Sequence, residues 1–398
     1  MSETSISQDP IDDTASNKGP TAAEHAAGMA DYLRAGERLA DEINSRGPVR
    51  FDANGNLHPD ILAAYWKNGF YVFEGVIDPG EIAELRADAD NMLARAPVNR
   101  EADVDAMGRP ALGRDFAVEP YTFVRPLSDP WGGTSKLGGR HPSQMTQPRA
   151  DANAPEDVPY LLRSMCQTMP SGLRLYGHPH LLAIAAGVNG DDFVPFNDAI
   201  FVKQPGLGGS VAWHQDGVTH WDAANWDEGI HGFNFQVQLY QTTPANCLWV
   251  IPATHKAGRA DIKGMVAAND GSERLPGAVP LICKAGDVTM VNRQMVHGSF
   301  ANTSPDLRIS ITFGFHRRTS VLGQTGALSV GKGDYYDAQR IFDRSAVIAV
   351  AIDARQQTHP DEASYHYQPF AGLEDDFRLN DATFERVIKD YNAKDLAI

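Results

Sequence analysis

From about Phe193 to Arg317 the chain is a succession of short segments rich in β-branched and aromatic residues, punctuated by Gly, Pro and Asn. FVPFNDAIFVKQ, GFNFQVQLYQTT, CLWVIPATH, AVPLICKAGDVTMVNRQMVH and LRISITFGFHRR all have this texture. No internal repeat occurs, and no helix–strand alternation of the Rossmann type. Such a run must bury one face of each strand against another sheet or a helical layer. The expected architecture is therefore mainly β, a barrel or sandwich-like core with flanking helices.

The flanks read differently. Residues 1–24 are rich in Ser, Asp, Thr and Gly and are expected to form a disordered tail. Met29, Leu33, Leu39 and Ile43 are spaced for an amphipathic helix over 26–46. A second helix should start at Pro59 and stop before Gly69, and GFYVFEGVI reads as a buried strand. EIAELRADADNMLARA is helical. Between Pro97 and Pro159 the chain is rich in Pro, Gly and charge without periodicity, which is the texture of a lid or of a surface insertion. After Val321 helix and loop return, with a closing helix over 381–390. The expected organisation is a single domain over 25–345 carrying the 97–159 insertion, and an extension over 346–398 packed on it.

Charge and cysteines narrow the function. A formal net charge of −16 over 398 residues disfavours nucleic-acid backbones and anionic membranes as partners. Cys166, Cys247 and Cys283 are far apart and show no CxxC spacing, which predicts free buried thiols. The first residues lack the basic and apolar regions of a signal peptide, and no apolar run is long enough to span a membrane. A cytoplasmic enzyme for a small molecule is expected. No pattern specifies an oligomeric state.

SVAWHQDGVTHW contains His214 and Asp216, which project from one face of an extended strand. Alone the doublet is commonplace and reads equally well as a surface hydrogen-bonded pair. His297 follows the strand-like GDVTMVNRQMV, and two imidazoles with one carboxylate form a facial ligand set of the kind that holds non-haem iron(II). Zinc accepts the same ligands. Arg308 lies inside the apolar strand LRISITFGF, where burial is costly without an anion. Its planar fork suits a carboxylate, either a ligand's or an internal Asp or Glu, and Ser310 shares its face.

These segments together resemble the phytanoyl-CoA dioxygenase family. Its C-terminal signature corresponds to His297, Asn302, Ser304, Arg308 and Phe313 in HGSFANTSPDLRISITFGF. KQPGLGGSVAWHQD resembles the family's approach to its HxD, CLWVIPATHKAG its G-x-L-x-x-x-P-G-[ST]-H element, and GFYVFEGVIDPGEIAELRA its opening. The likeness runs from about Asp52 to Arg317 and is weakest over 97–159. It implies a double-stranded β-helix (a jelly-roll, cupin-like core) that holds Fe(II) through His214, Asp216 and His297. It also implies 2-oxoglutarate and O2 as co-substrates, with Arg308 and Ser299 on the 2-oxoglutarate carboxylate and hydroxylation with release of succinate and CO2. Related halogenases lack the carboxylate ligand, so Asp216 favours hydroxylation. Asn246 and Ala253 stand where the family has glycines, implying altered turns. Gln236 stands where a Trp is common, and so becomes a candidate for the co-substrate wall.

The loop THWDAANWDEGIHGFNF offers His220, Trp221, Trp226 and His231 as substrate-pocket candidates, although packing within the loop is the simpler reading of each. Gln236 and Gln238 share a strand face and either bind co-substrate or substrate or belong to a structural hydrogen-bond network. Lys203 is expected to reach solvent. His255 should stabilise its turn, GLGG at 206–209 lacks the Lys-[ST] of a phosphate loop, and His178 and His180 read as a Pro turn. Two other classes use the same pattern: a hydrolase or isomerase with zinc or another divalent ion, and a non-catalytic cupin-like binding protein. Succinate release that requires both iron and 2-oxoglutarate separates them.

Overall fold

The computed structural model describes residues 19–328 and 332–396. Most of the expected tail, 1–18, lies outside the described residues. Its last part does not: Thr21 caps a helix over Ala22–Ile43 through a reciprocal capping box with Glu24, so the helix begins four residues before the expected 26. The Pro59–Asn68 helix ends on Gly69 at φ +83, as its sequence requires, and the third helix runs Pro79–Ala94 from an Asp78 cap.

The described residues form thirteen strands, numbered in chain order. They are β1 (Arg46–Gly47), β2 (Phe70–Phe73), β3 (Tyr121–Val124), β4 (Val158–Leu162), β5 (Val194–Pro195) and β6 (Ala199–Lys203). Then come β7 (Val211–His214), β8 (Phe233–Gln238), β9 (Trp249–Val250), β10 (Val279–Pro280), β11 (Val288–Asn292), β12 (His297–Ser299) and β13 (Arg308–His316). Nine form one sheet, in the order β1-β2-β11-β8-β13-β6-β4-β3 with β5 also on β13. Four form the second, β10-β9-β12-β7, antiparallel throughout.

Period-two alternation assigns the two faces of the large sheet. Ile309, Ile311, Phe313 and Phe315 on β13, with Phe233, Phe235 and Val237 on β8, are buried in a core shared with Leu173, Tyr176, Leu182, Val347 and Val350 of the helices. The alternate set is polar. Arg308, Ser310 and Thr312 lie in register with Lys203, Gln238 and Gln236, and all face the small sheet. This overturns the expected exposure of Lys203. It is 1% exposed, and its ammonium donates to the Phe300 carbonyl just beyond β12.

The small sheet is covered on its outer side by the first helix. Tyr32 stacks on Trp249 with ring centroids 4.9 Å apart. The helix lies this close because residue 36 is glycine, where a Cβ would fall 2.5 Å from the Trp249 ring. The three cysteines are buried and unpaired, as expected.

The C-terminal part departs most from expectation. Helix Ala338–Thr358 crosses the anticipated boundary at 345/346, and its residues Ala346, Val347, Ile348, Val350 and Ala351 belong to the main core. This helix thus packs into the main core. The closing helix is short and wide, Asp381–Thr383 followed by a π-helical Phe384–Ile388.

Arg344 ties this region down. Fully buried, it reaches Asp395 (3.2 Å) and the Phe196 carbonyl (3.0 Å), with its guanidinium 4.9 Å over the Tyr391 ring. Burial pushes the Asp198 carboxyl up to about 6, against the opposing pull of the Met165 N–H and of Arg344. A raised folded value contributes stability that is full below the unfolded value near 3.9 and lost as pH rises through about 6. Arg344→Ala is therefore expected to cost about 3–5 kcal/mol in urea denaturation at pH 7, by leaving buried carboxylates uncompensated. The loss should be smaller at pH 5, where Asp198 carries its proton. An equal loss at both pH values would contradict this account.

Candidate metal centre and its surroundings

The antiparallel register of β7 and β12 sets His297 directly opposite His214, with ring centroids 4.0 Å apart. Asp216 lies two residues beyond the end of β7. Its backbone N–H donates to the Arg293 carbonyl at 2.8 Å, and Gly217 at φ +79 then turns the chain away. Each imidazole is oriented from behind. Nδ1 of His214 donates to the Ala212 carbonyl and Nδ1 of His297 to the Met295 carbonyl, both at 2.8 Å. Those bonds leave both Nε2 lone pairs directed at the carboxylate, 3.6 Å and 3.8 Å from its oxygens. All three residues are buried, and their donor atoms lie within 4.8 Å of one another. Two neutral imidazoles and a carboxylate clustered in this way fit a divalent transition metal.

The electrostatics follow from burial and neighbouring charge. Burial lowers the His214 imidazole well below its ordinary value, and His297 and His141 add to the effect. Burial alone would raise Asp216, but Arg140, His297, His214 and Arg293 outweigh it and hold the carboxyl well below the usual carboxylate range. The ligand set is thus deprotonated and ready for a cation at neutral pH.

Four residues that complete this environment were not singled out from the sequence. Arg140 makes an ion pair with Asp216 Oδ1, and His141 packs 4.2 Å from the His214 ring. Asn234 Nδ2 donates to Asp216 Oδ2 at 3.0 Å, and Arg293 Nε lies 4.0 Å from the same oxygen. Asn234 has the same parity on β8 as Gln236 and Gln238, so alternation could have found it. Arg293 stands between Asn292 and Gln294, outside the apolar setting that singled out Arg308. Arg140 and His141 come from the 97–159 segment, which carries no such signal.

Arg308 is 2% exposed and donates to Gln236 Oε1 (2.9 Å) and to the Asn246 carbonyl (3.1 Å). Among the described residues no carboxylate pairs with it, which removes the internal ion pair as its explanation. Lys203 lies beside it in register, and the neighbouring Arg308 charge adds to burial in lowering the lysine. Asn246, in place of a glycine, accepts the Thr243 N–H through its side chain. Ala253, the other replacement, sits at φ +64, a left-handed conformation that costs an L-residue about 1–2 kcal/mol. Ser299 is buried and shares a strand face with His297; Gln238 is buried with an unpartnered Oε1.

The loop candidates separate. Trp221 lines a cavity of about 390 Å³ together with Arg140, and the Arg259 guanidinium lies 4.0 Å over its ring. Trp226, 4% exposed, packs under the loop. His220 stacks on His231 at 4.1 Å and bonds the Ser320 carbonyl at 2.6 Å, a contact that fastens the C-terminal region. His255 bonds the Trp66 carbonyl, and His178 precedes the Pro179–Asn189 helix without a side-chain capping bond.

Comparison with known proteins gives the family. The model of the phytanoyl-CoA dioxygenase family matches residues 65–310. The rice (Oryza sativa subsp. japonica) protein Phytanoyl-CoA dioxygenase 1 is 32% identical over 117 residues, 28% of this chain and 40% of the rice protein. An Arabidopsis thaliana phytanoyl-CoA dioxygenase is 23% identical over 269 residues, 64% of this chain and 87% of that one. Among solved structures, EctD from S. alaskensis with 2-oxoglutarate and 5-hydroxyectoine aligns with TM-score 0.46 at 19% identity, over 69% of this chain and 81% of its own. The nogalamycin epimerase SnoN aligns with TM-score 0.40 at 20% identity, over 64% and 80%. With a family model matched over more than half its length, the chain belongs to the phytanoyl-CoA dioxygenase family of iron(II)- and 2-oxoglutarate-dependent oxygenases.

Proposed function

We propose that this oxygenase hydroxylates a compact organic molecule with release of succinate and CO2. His214, Asp216 and His297 would hold iron(II) on a double-stranded β-helix formed by the two sheets. The observation that carries the reading is the pairing of two buried features. One is a ligand triad whose imidazoles are fixed by backbone carbonyls, and the other is Arg308, buried on the polar face of the large sheet without a carboxylate.

Bound iron(II) with 2-oxoglutarate and O2 supplies the oxidising chemistry, which couples loss of CO2 from the co-substrate to oxidation of a C–H bond. The chain's own residues do the rest. Arg308, steadied by Gln236 and the Asn246 carbonyl, presents a planar donor fork to the far carboxylate of 2-oxoglutarate, with Ser299 beside it. Lys203 lies beside Arg308 on the same face and donates to the Phe300 carbonyl. Asn234, Arg293 and Arg140 hold the Asp216 carboxylate in orientation, and His141 packs against the His214 ring. No helix of the described residues is long and apolar enough to cross a membrane, and three unpaired thiols fit a reducing cytoplasm.

Purified protein supplied with substrate candidates should release succinate only when both iron(II) and 2-oxoglutarate are present. Iron-independent turnover, or none across a broad panel together with activity restored by zinc, would assign the triad to a hydrolase instead.

A further inference from the structure

The cavity beside the metal centre is cationic in a chain whose formal net charge is −16. Arg140, Arg259 and Lys263 line it with Trp221, Gln215 and Asp261. The one acid among these has a local role, since Asp261 accepts the Gly264 N–H at 2.9 Å. Gln215 is likewise occupied: its amide donates to the Gly258 and Gln294 carbonyls and accepts from Ala260 N–H. The lining thus carries three cations against one carboxylate, and of the three Arg140 is also paired with Asp216. Arg140 reaches from its rim to Asp216, which places the cavity directly against the metal-binding carboxylate. Two groups on its wall also lack partners, the buried Nε of Arg140 and Nε1 of Trp221.

We propose that this cavity is the headgroup site for the prime substrate and that it takes a compact organic anion. The negative group would sit among Arg140, Arg259 and Lys263, with the body of the molecule against Trp221 and its reacting carbon toward Asp216. Arg259 is held for this by stacking on Trp221 at 4.0 Å, which fixes the plane of its donors. A volume of about 390 Å³ falls at the small end of ligand pockets and matches a single small molecule. This inference rests on the oxygenase reading above for what happens to the bound molecule, but not for the binding itself.

The test uses the full chain loaded with iron(II) and saturating 2-oxoglutarate under argon. Benzoate, phenyl phosphate and benzamide, which share a ring and differ in charge, are titrated by calorimetry. The anions are expected to bind at least about tenfold more tightly than benzamide. Tighter binding of benzoate assigns a carboxylate headgroup, and tighter binding of phenyl phosphate a phosphate one. R259Q/K263Q should lose the preference for anions, while Arg259→Lys, which keeps the charge, should retain much of it. Both side chains are exposed, and an unchanged melting temperature checks that the double variant is folded. Equal affinity for all three probes, or a preference that survives in R259Q/K263Q, overturns the proposal. Succinate assays on the same preparations keep the two readings apart. Anion selectivity without 2-oxoglutarate turnover would remove the oxygenase reading and leave the pocket; turnover without selectivity would do the reverse.

Discussion

Asp216→Ala is expected to lower iron(II) affinity and 2-oxoglutarate-coupled succinate release by more than about 100-fold, since removing even an outer-shell partner of a metal ligand costs about 10–100-fold. The structure makes the effect larger than the loss of one ligand. Asp216 accepts from Arg140 and Asn234 and lies 4.0 Å from Arg293, so the truncation removes the carboxylate that both guanidinium groups face. Their repulsion opposes the binding of any cation there. Anaerobic titration of the variant with iron(II), read by the absorbance of the iron–2-oxoglutarate complex, measures the affinity directly. Asp216→Asn preserves shape while removing charge, and should fall nearly as far if the charge is what matters. Full succinate release by Asp216→Ala would mean that the triad is not the metal site.

Arg308→Met should act on the co-substrate instead. Truncating one partner of a buried, charge-assisted pair costs about 2–5 kcal/mol, which corresponds to a rise of about 30-fold to several-thousand-fold in KM for 2-oxoglutarate. The triad is untouched, so kcat at saturating co-substrate should fall much less. Stability provides a second readout. Arg308 is buried with only neutral oxygen partners, Gln236 Oε1 and the Asn246 carbonyl. Replacing such a charge with an apolar side chain of similar length should leave the melting temperature of the ligand-free protein unchanged or raised. The rise in melting temperature that 2-oxoglutarate gives the wild type should then vanish. A variant that is destabilised yet keeps an ordinary KM would make Arg308 a structural residue.

Much of this site could be read along the chain because its determinants are local. His214 and Asp216 are two residues apart, and His297 and Arg308 each belong to a strand recognisable by composition. Failures of the reading have equally local causes. Lys203 was assigned to solvent by its residue type, but its parity on β6 matches Arg308 across the sheet and turns it inward. Helix Ala338–Thr358 was not delineated because its buried stretch, SAVIAVAI, is rich in β-branched residues that favour strands when considered alone. For His220 and Trp226 packing was the simpler of the two readings, and both pack within the loop.

What the sequence determines by itself is the kind of chemistry: the ligand types, the strand spacing that lets them converge, and an arginine that requires an anion. The tertiary structure decides what surrounds that chemistry. Arg140 is separated from Asp216 by 76 positions and comes from a segment without periodicity, yet it is the largest single influence lowering that carboxylate. Arg259 and Lys263 gain significance only where the packing of a third segment brings them to the same cavity. Periodicity encodes which face of one element a residue occupies. Which elements then meet is set by the burial of the whole core, and the charge of the cavity beside the metal depends on that assembly.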